Sequence, residues 1–179
     1  MGILYTARLE LVPVTVEVVE AILAGQRERA EALLHARCPV SWPNRALIER
    51  AFYASLDAIR ADPERRLWGD RVMITLESPR RIVGSVIFHG APDEEGSVEV
   101  AYGVEEESQR RGYATEATRA SVGWALEQPT VHVVRAATPP WHIASQKVLE
   151  RCGLTRVGER ESPLGEIWEY ELRRPRRSP

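Results

Sequence analysis

The sequence SQRRGYATEA, residues 108–117, lies between a predicted β-strand and a predicted amphipathic helix. The first four N–H groups of a helix have no partner inside the helix, and the helix dipole adds a partial positive charge there. A pyrophosphate can therefore be held at such a position mainly by backbone donors. Gly112 and Ala114 leave room for a phosphate, and Arg110 and Arg111 supply charge. The alternative is an ordinary strand-to-helix turn with surface arginines, because a single glycine in a basic loop is common.

The hydrophobic periodicity changes along the chain on either side of this loop. In the N-terminal half we expect a short strand that ends with Leu9, Leu11 and Val12, a helix capped by Thr15, and a helix that begins after Asn44 and ends at Asp62. A β-meander is predicted before the loop, and alternating strands and helices after it. The further predicted elements are helices at Arg27–Leu34, Tyr113–Glu127 and Ile143–Arg151, and strands at Val72–Leu76, Ile82–Phe88, Val98–Val104, Val131–Ala136, Leu154–Glu159 and Ile167–Leu172.

This order of elements predicts the fold class. Parallel neighbours in a sheet need a crossover connection, so a meander followed by strand, helix and strand predicts a mixed sheet with helices on both faces. The chain has 179 residues, the usual length of one domain. We expect a single domain over residues 1–172 and a basic tail over residues 173–179.

Composition and charge argue against several classes of function. With 24 basic and 26 acidic side chains the formal net charge is −2, so no overall field would draw the protein to nucleic acid or to an anionic membrane. The terminal arginines at positions 173–177 are a candidate nucleic-acid segment, but the run is short and broken by Pro175, which favours a solvated tail. No stretch approaches the ~20 apolar residues of a membrane span, and the N-terminus has no apolar leader. We therefore expect a cytoplasmic protein.

Cysteines and histidines do not indicate a metal site. Cys38 and Cys152 are far apart and match neither zinc nor redox spacing, which fits a reducing compartment. The histidines at positions 35, 89, 132 and 142 have no ligand spacing. The G-x-x-x-x-G-K-[ST], G-x-G-x-x-G and H-E-x-x-H motifs are missing, which argues against phosphate-loop, dinucleotide-binding and zinc-protease functions. No metal is predicted.

Several motifs together resemble a known family. Residues 109–114 are similar to the acetyl-CoA pyrophosphate loop of the GNAT superfamily, Q/R-x-x-G-x-G/A. Residues 6–9, 99–102, 114–117 and 144–154 resemble its RimJ/RimL-like branch, in the right order and separation. The resemblance implies a three-layer α+β fold. Its central mixed, mostly antiparallel sheet would have about seven strands and a splayed parallel pair that binds acyl-CoA.

The resemblance also implies an activity, the transfer of acetyl from acetyl-CoA to a primary amine by direct attack in a ternary complex. The strand Val98–Val104 would splay from Val131–Ala136, with the pantetheine arm in the gap and bonded to backbone groups near Tyr102 and Val104. The acceptor would be a protein N-terminal α-amine or a small-molecule amine, and homodimers are common in this branch. The implied acetyl-CoA-binding residues are Tyr102, Val104, Gln109, Arg110, Arg111, Gly112, Tyr113, Ala114, Thr115, His142 and Ser145.

Two catalytic residues follow from the resemblance. Ser145 would lie near the thioester sulfur and protonate the departing thiolate, although a helix-cap or core hydroxyl is an alternative. Glu99 would act as the base, directly or through water, although a structural or substrate-orienting carboxylate is an alternative. His89 is a second candidate base, because imidazole exchanges protons near neutral pH. The acceptor pocket should include some of the aromatic residues Trp42, Phe52, Tyr53 and Trp68, which are otherwise core residues.

The chain departs from the family pattern in one cluster. His142 stands where the family has asparagine, Ala137 where it has an acidic residue, Trp141 where it has aspartate, and Glu106 where proline is common. Two alternatives from other classes therefore remain. One is a catalytically silent acyl-CoA-binding sensor, and the other is a nucleic-acid-binding protein that uses the terminal arginines.

Overall fold

The computed structural model describes residues 2–43, 55–163 and 165–175. The strands in these ranges, numbered along the chain, are β1 Leu4–Tyr5, β2 Leu9–Pro13, β3 Arg71–Thr75, β4 Ile82–Phe88, β5 Ser97–Val104, β6 Val133–Thr138, β7 Thr155–Ser162 and β8 Gly165–Arg173. The helices are α1 Val16–Leu23, α2 Arg27–Leu34, α3 Leu56–Ala61, α4 Pro63–Arg66, α5 Tyr113–Glu127 and α6 Ile143–Arg151, with a 3₁₀ turn at Glu106–Ser108.

The described strands form one sheet of eight strands in the order β1-β2-β3-β4-β5-β6-β8-β7. Neighbouring strands are antiparallel, apart from the parallel pair β5 and β6. This confirms the predicted mixed, mostly antiparallel sheet. The strand beyond the predicted seven is the two-residue β1, which is too short to give a periodic signal.

Local capping explains where several helices begin and end. The Thr15 hydroxyl accepts a hydrogen bond from the amide of Val18 at the start of α1. The predicted helix after Asn44 falls largely on residues 44–54, outside the described residues, and its last part is α3. Asp62 ends α3, as predicted, and its carboxylate accepts from the amide of Arg65 to begin α4.

The core lies on both faces of the sheet. In β3, Val72 and Ile74 pack against α1 and α2, whereas Met73 between them packs with the buried residues of α5 and α6. This alternation is the two-residue period of a strand. It gives the three layers that were predicted, helix, sheet and helix.

A buried arginine interrupts the apolar layer beneath α5. Arg71 is fully buried, its guanidinium lies 4.1 Å from the ring centroid of Trp124, and its Nη1 donates to the carbonyl of Gly69 at 2.7 Å. Burial lowers the pKa of Arg71 to about 10, although the charge of Asp70 opposes that fall. Arg71 therefore stays charged at neutral pH and is stabilised by an aromatic face.

The two parallel strands separate soon after they begin. Residues Ser97–Glu99 of β5 pair with Val133–Arg135 of β6. Among the described strands, β5 pairs beyond Glu99 only with β4, while β6 continues beside β8 as far as Thr138. A gap therefore opens between the second halves of β5 and β6, which confirms the predicted splay.

Candidate active site

A cavity of about 460 Å³ opens where β5 and β6 separate. Its volume lies in the range of small-molecule and cofactor sites. The cavity runs from the strands to the beginnings of α5 and α6. It is lined by Ser85, Ile87, Tyr102, Gly103, Val104, Glu105, Ser108, Gln109, Arg110, Gly112, Tyr113, Ala114, Thr115, His142, Ala144, Ser145, Val148 and Arg151.

Most of the predicted site residues meet in this cavity. Among the predicted acetyl-CoA-binding residues, Arg111 alone is missing from the lining. Glu99 is also missing, because it lies lower in the sheet, where β5 and β6 are still paired. The lining residues that were not predicted are Ser85, Ile87, Gly103, Glu105, Ser108, Ala144, Val148 and Arg151.

The loop before α5 has the backbone form that an anion site needs. Gly112 is the N-cap residue at φ 83°, a left-handed conformation that glycine adopts without strain. It offers no side chain to cap the helix, so the first amides of α5 are open to a ligand. Arg110, at φ 62°, also adopts the left-handed form. Tyr113, Ala114 and Thr115 bring the start of α5 to the cavity wall.

Arg8, in the turn between β1 and β2, holds this loop in place. Its Nη1 donates to the carbonyl of Arg111 at 2.9 Å, and its Nε donates to Oε2 of Glu116 at 2.8 Å. Its backbone amide and the Thr6 hydroxyl donate to Oε1 of Glu116, at 2.8 and 2.6 Å. The guanidinium also lies 4.8 Å from the ring centroid of Tyr113. Arg8 thus fixes the loop before α5 through the carbonyl of Arg111 and leaves the first amides of α5 open.

The carboxylate of Glu116 is held ionised by these contacts. Burial acts to raise its pKa, but the hydrogen bonds from Thr6 and Arg8 and the charge of Arg8 outweigh burial and lower that pKa. Since Arg8 neutralises Glu116, this carboxylate opposes an anion at the start of α5 less than a free one would.

Two hydroxyl groups lie together at the other end of the cavity. The phenol of Tyr102, on β5, donates to the carbonyl of Ser145 at 3.0 Å and lies 3.0 Å from its Oγ. Ser145 belongs to the first turn of α6, whose N-cap residue is His142. The ring of His142 is 5.5 Å from that of Trp141, which is 76% exposed. The departure from the family pattern thus places a solvent-facing indole beside the cavity.

Glu99 and His89 form a pair next to the splay. Oε1 of Glu99 is 3.6 Å from Nδ1 of His89, longer than an ordinary hydrogen bond. The interaction with His89 is the largest influence on the pKa of Glu99 and, with the charges of Arg160 and Arg135, it outweighs burial and lowers that pKa. Glu99 is therefore a carboxylate at neutral pH.

A carboxylate that was not predicted for the site lines the cavity. Glu105 is 2% exposed, and its Oε2 accepts from the Ser41 hydroxyl at 3.1 Å. Ser85 and Ile87 of β4 lie in the same wall. Sequence alternation alone does not separate these residues from the core, because β4 is buried along its whole length.

The aromatic residues predicted for the acceptor pocket lie elsewhere or outside the described residues. Trp42 is buried against α1 and α2, and Trp68 packs at 5.1 Å and 4.9 Å from the rings of Phe88 and Trp124. Both side chains therefore contribute to the core. Phe52 and Tyr53 fall in the range 44–54, outside the described residues.

Two further features concern the described residues, 2–43, 55–163 and 165–175. In that part of the chain, the helices are too short or too polar to span a membrane. In the same part, no group of three or more histidine, cysteine or acidic side chains is arranged to hold a metal ion.

The fold and the cavity together define an acetyltransferase of the GNAT type, and comparison with known proteins agrees. Residues 8–155 match the family model described as the acetyltransferase (GNAT) domain, so the chain belongs to this family. It is 29% identical over 153 residues to the uncharacterized N-acetyltransferase YjdG of Bacillus subtilis (strain 168), a match that covers 86% of this chain and 89% of the relative.

Solved structures show the same fold. An acetyltransferase (GNAT family) from Bacillus anthracis is 14% identical, with a TM-score of 0.64 and coverage of 97% of this chain and 99% of that one. RimL, a ribosomal L7/L12 α-N-protein acetyltransferase solved with coenzyme A, is 15% identical, with a TM-score of 0.62 and coverage of 96% and 98%.

Proposed function

We propose that the chain transfers acetyl from acetyl-CoA to a primary amine, by direct attack of the amine within a ternary complex. The observation that carries this proposal is the continuity of one cavity. It joins an uncapped helix start, suited to a diphosphate, to a gap between parallel strands and to a pair of hydroxyls.

The residues of the cavity fit acetyl-CoA, which would supply an activated acetyl group as a thioester. The open amides of α5 and the charge of Arg110 suit the pyrophosphate. Among the described strands, none pairs with the second half of β5 on the side of β6, so backbone groups near Tyr102 and Val104 would hydrogen-bond an extended pantetheine arm. His142 would contact the same ligand from the start of α6.

Ser145 would act as the proton donor of the reaction and Glu99 as the proton acceptor. Ser145 lines the cavity and would donate to the departing sulfur. Glu99 would accept the amine proton through water, because it lies outside the lining. Its lowered pKa makes it a weak base, so the acceptor must arrive largely deprotonated or lose its proton readily.

This requirement favours an α-amine as the acceptor. An α-amine has a pKa of ~7.7–8.0, so roughly a tenth of its molecules are uncharged at pH 7. A lysine amine has a pKa of ~10.4, so about one molecule in a few thousand is uncharged. A protein N-terminus, as in the name of RimL, and a small α-amine both satisfy the chemistry.

The test is a mass-spectrometric search for acetylated products from acetyl-CoA and a mixed panel of peptides and small amines. The same panel is given to Gly112→Glu, which fills and charges the helix start, and to Gly123→Glu, a change at an exposed α5 position with no atom within 4 Å of an added Cβ. We expect product from the wild type and from Gly123→Glu, and neither product nor acetyl-CoA binding from Gly112→Glu.

Two other results would contradict the proposal. Acetyl-CoA binding without product or thiol release on the whole panel would support the silent sensor. Unchanged acetyl-CoA affinity in a folded Gly112→Glu variant would remove the loop from the site.

A further inference from the structure

The hydroxyls of Tyr102 and Ser145 meet across the gap between the separated strands. Tyr102 lies on β5, on one side of the gap, and Ser145 lies in the helix that follows β6, on the other. Both residues line the cavity. The serine hydroxyl therefore has a phenol as its neighbour and the cavity before it.

The phenol has one proton, and two oxygens of Ser145 lie within its reach. Its oxygen lies 3.0 Å from the carbonyl of Ser145 and 3.0 Å from Oγ. When the phenol donates to Oγ, the serine can direct its own proton into the cavity. A small rotation of two O–H bonds would thus form a hydrogen-bonded chain from the phenol through Ser145 to a ligand in the cavity.

Acidity explains why a phenol behind the serine matters. A general acid works best when its acidity is close to that of the group it protonates. An ordinary phenol has a pKa of ~10 and an ordinary thiol a pKa of ~8.5, so proton transfer from the phenol to the thiolate is disfavoured only roughly 30-fold. A serine hydroxyl is a far weaker acid, so Ser145 by itself would be a poor proton source.

The cavity wall contains a second phenol, Tyr113, which contacts Arg8. Tyr113 is the first residue of α5, and the guanidinium of Arg8 lies over its ring at 4.8 Å. Tyr102 is the phenol that contacts Ser145.

We propose that Tyr102 supplies, through Ser145, the proton that the departing thiolate takes up. This inference rests on the N-acetyltransferase function proposed above. As the amine nitrogen bonds to the acetyl carbon and the carbon–sulfur bond breaks, Ser145 gives its proton to sulfur and Tyr102 gives its proton to Oγ. The amine proton passes through water to Glu99 and from there to solvent, and solvent returns one proton to the phenolate, so no further reactant is needed. Because it acts through Ser145, Tyr102 is a positioning residue for the reaction.

The experiment compares Tyr102→Phe, which removes one oxygen and keeps the ring, with Tyr5→Phe. Tyr5 is 66% exposed and its hydroxyl bonds to Glu10 at 3.2 Å, far along the chain from the cavity residues. We expect Tyr102→Phe to lower kcat about 100-fold, the lower end of general-acid effects. Its acetyl-CoA Kd should match the wild type, its Tm should fall by no more than about 2–4 °C for the lost hydrogen bond, and Tyr5→Phe should be normal throughout.

A double-mutant cycle with Ser145→Ala identifies the relay. If both groups serve one proton transfer, Tyr102→Phe combined with Ser145→Ala should be no slower than the slower single variant. Multiplied losses, or a Tyr102→Phe variant that changes Kd and Tm with kcat unchanged, would mean that the hydroxyl only ties α6 to β5. Full kcat in Tyr102→Phe overturns the relay alone, whereas a wild type that acetylates no amine overturns the proposed function and the relay with it.

Discussion

Replacing Gly112 by alanine tests the geometry at the start of α5 with the smallest change available. The residue adopts φ 83°, and an added Cβ would lie 3.3 Å from Nη2 of Arg8. A non-glycine residue in the left-handed region costs about 1–2 kcal/mol. The contact with Arg8 adds strain, because that guanidinium is already bonded to Glu116 and to the carbonyl of Arg111.

The matched control is the same substitution eleven positions along, in the same helix. Gly123 lies inside α5, is exposed, and has no atom within 4 Å of an added Cβ. Since alanine favours a helix over glycine, Gly123→Ala should stabilise the protein by about 0.5–1 kcal/mol. The two variants should therefore move the unfolding free energy in opposite directions.

Urea unfolding and thermal melting measure the change in stability, and titration calorimetry measures the change in affinity for acetyl-CoA. A chain of this size loses about 2–4 °C of Tm per kcal/mol, so Gly112→Ala should melt about 2–8 °C below the wild type. If the loop relaxes out of the left-handed form, the open amides lose their common direction, and affinity for acetyl-CoA should fall about tenfold. A Gly112→Ala variant as stable and as tightly binding as the wild type would refute this account.

Three further predictions concern ionisable groups. Glu116→Gln should lower the free energy of unfolding by about 1 kcal/mol near pH 7, a value discounted because Arg8 is half exposed. The pKa of Glu116 lies below its ordinary value of 4.5, so this contribution should be present above pH 4.5 and vanish as acid protonates the native carboxylate. Urea titrations that show an equal loss at pH 3 and pH 7 would contradict the prediction. Burial raises the pKa of Cys38 and of Cys152 to about 11, so a thiol reagent at about pH 8 should react at least about tenfold faster with urea-unfolded protein than with native protein, and equal rates would show that the thiols are open. Glu99→Gln should lower kcat about tenfold or more and leave acetyl-CoA affinity unchanged in steady-state and binding assays, whereas full turnover would remove Glu99 from the reaction.

The sequence predicts those parts of the fold that local rules determine. The bounds of α2, α5 and α6 are as predicted. The signals are local to each helix: apolar residues at helical spacing and, just after α5 and α6, the helix-ending residues Pro129 and Gly153. The strand predicted at Val131–Ala136 begins two residues later. The Val131 amide bonds to the carbonyl of Gln128 in the turn that ends α5, which holds this residue out of the sheet.

Contacts between distant segments could not be predicted in the same way. Arg8 and Glu116 are 108 positions apart, and the packing of α5 against β2 brings them together. The proximity of Tyr102 to Ser145 depends on how far two strands separate, which no periodicity records. The burial of Arg71 was also missed, because a charged residue in a strand normally indicates a solvent-facing position.

The short pairing between β5 and β6 affects how the two parts of the sheet hold together. Three residue pairs join β1–β5 to β6–β8 within the sheet. A molecule lying in the gap with backbone-like donors and acceptors would extend that seam and tighten the link between the two parts. Binding energy would then resist the opening of the whole β layer, so heat and proteases should distinguish the loaded protein from the empty one even far from the cavity.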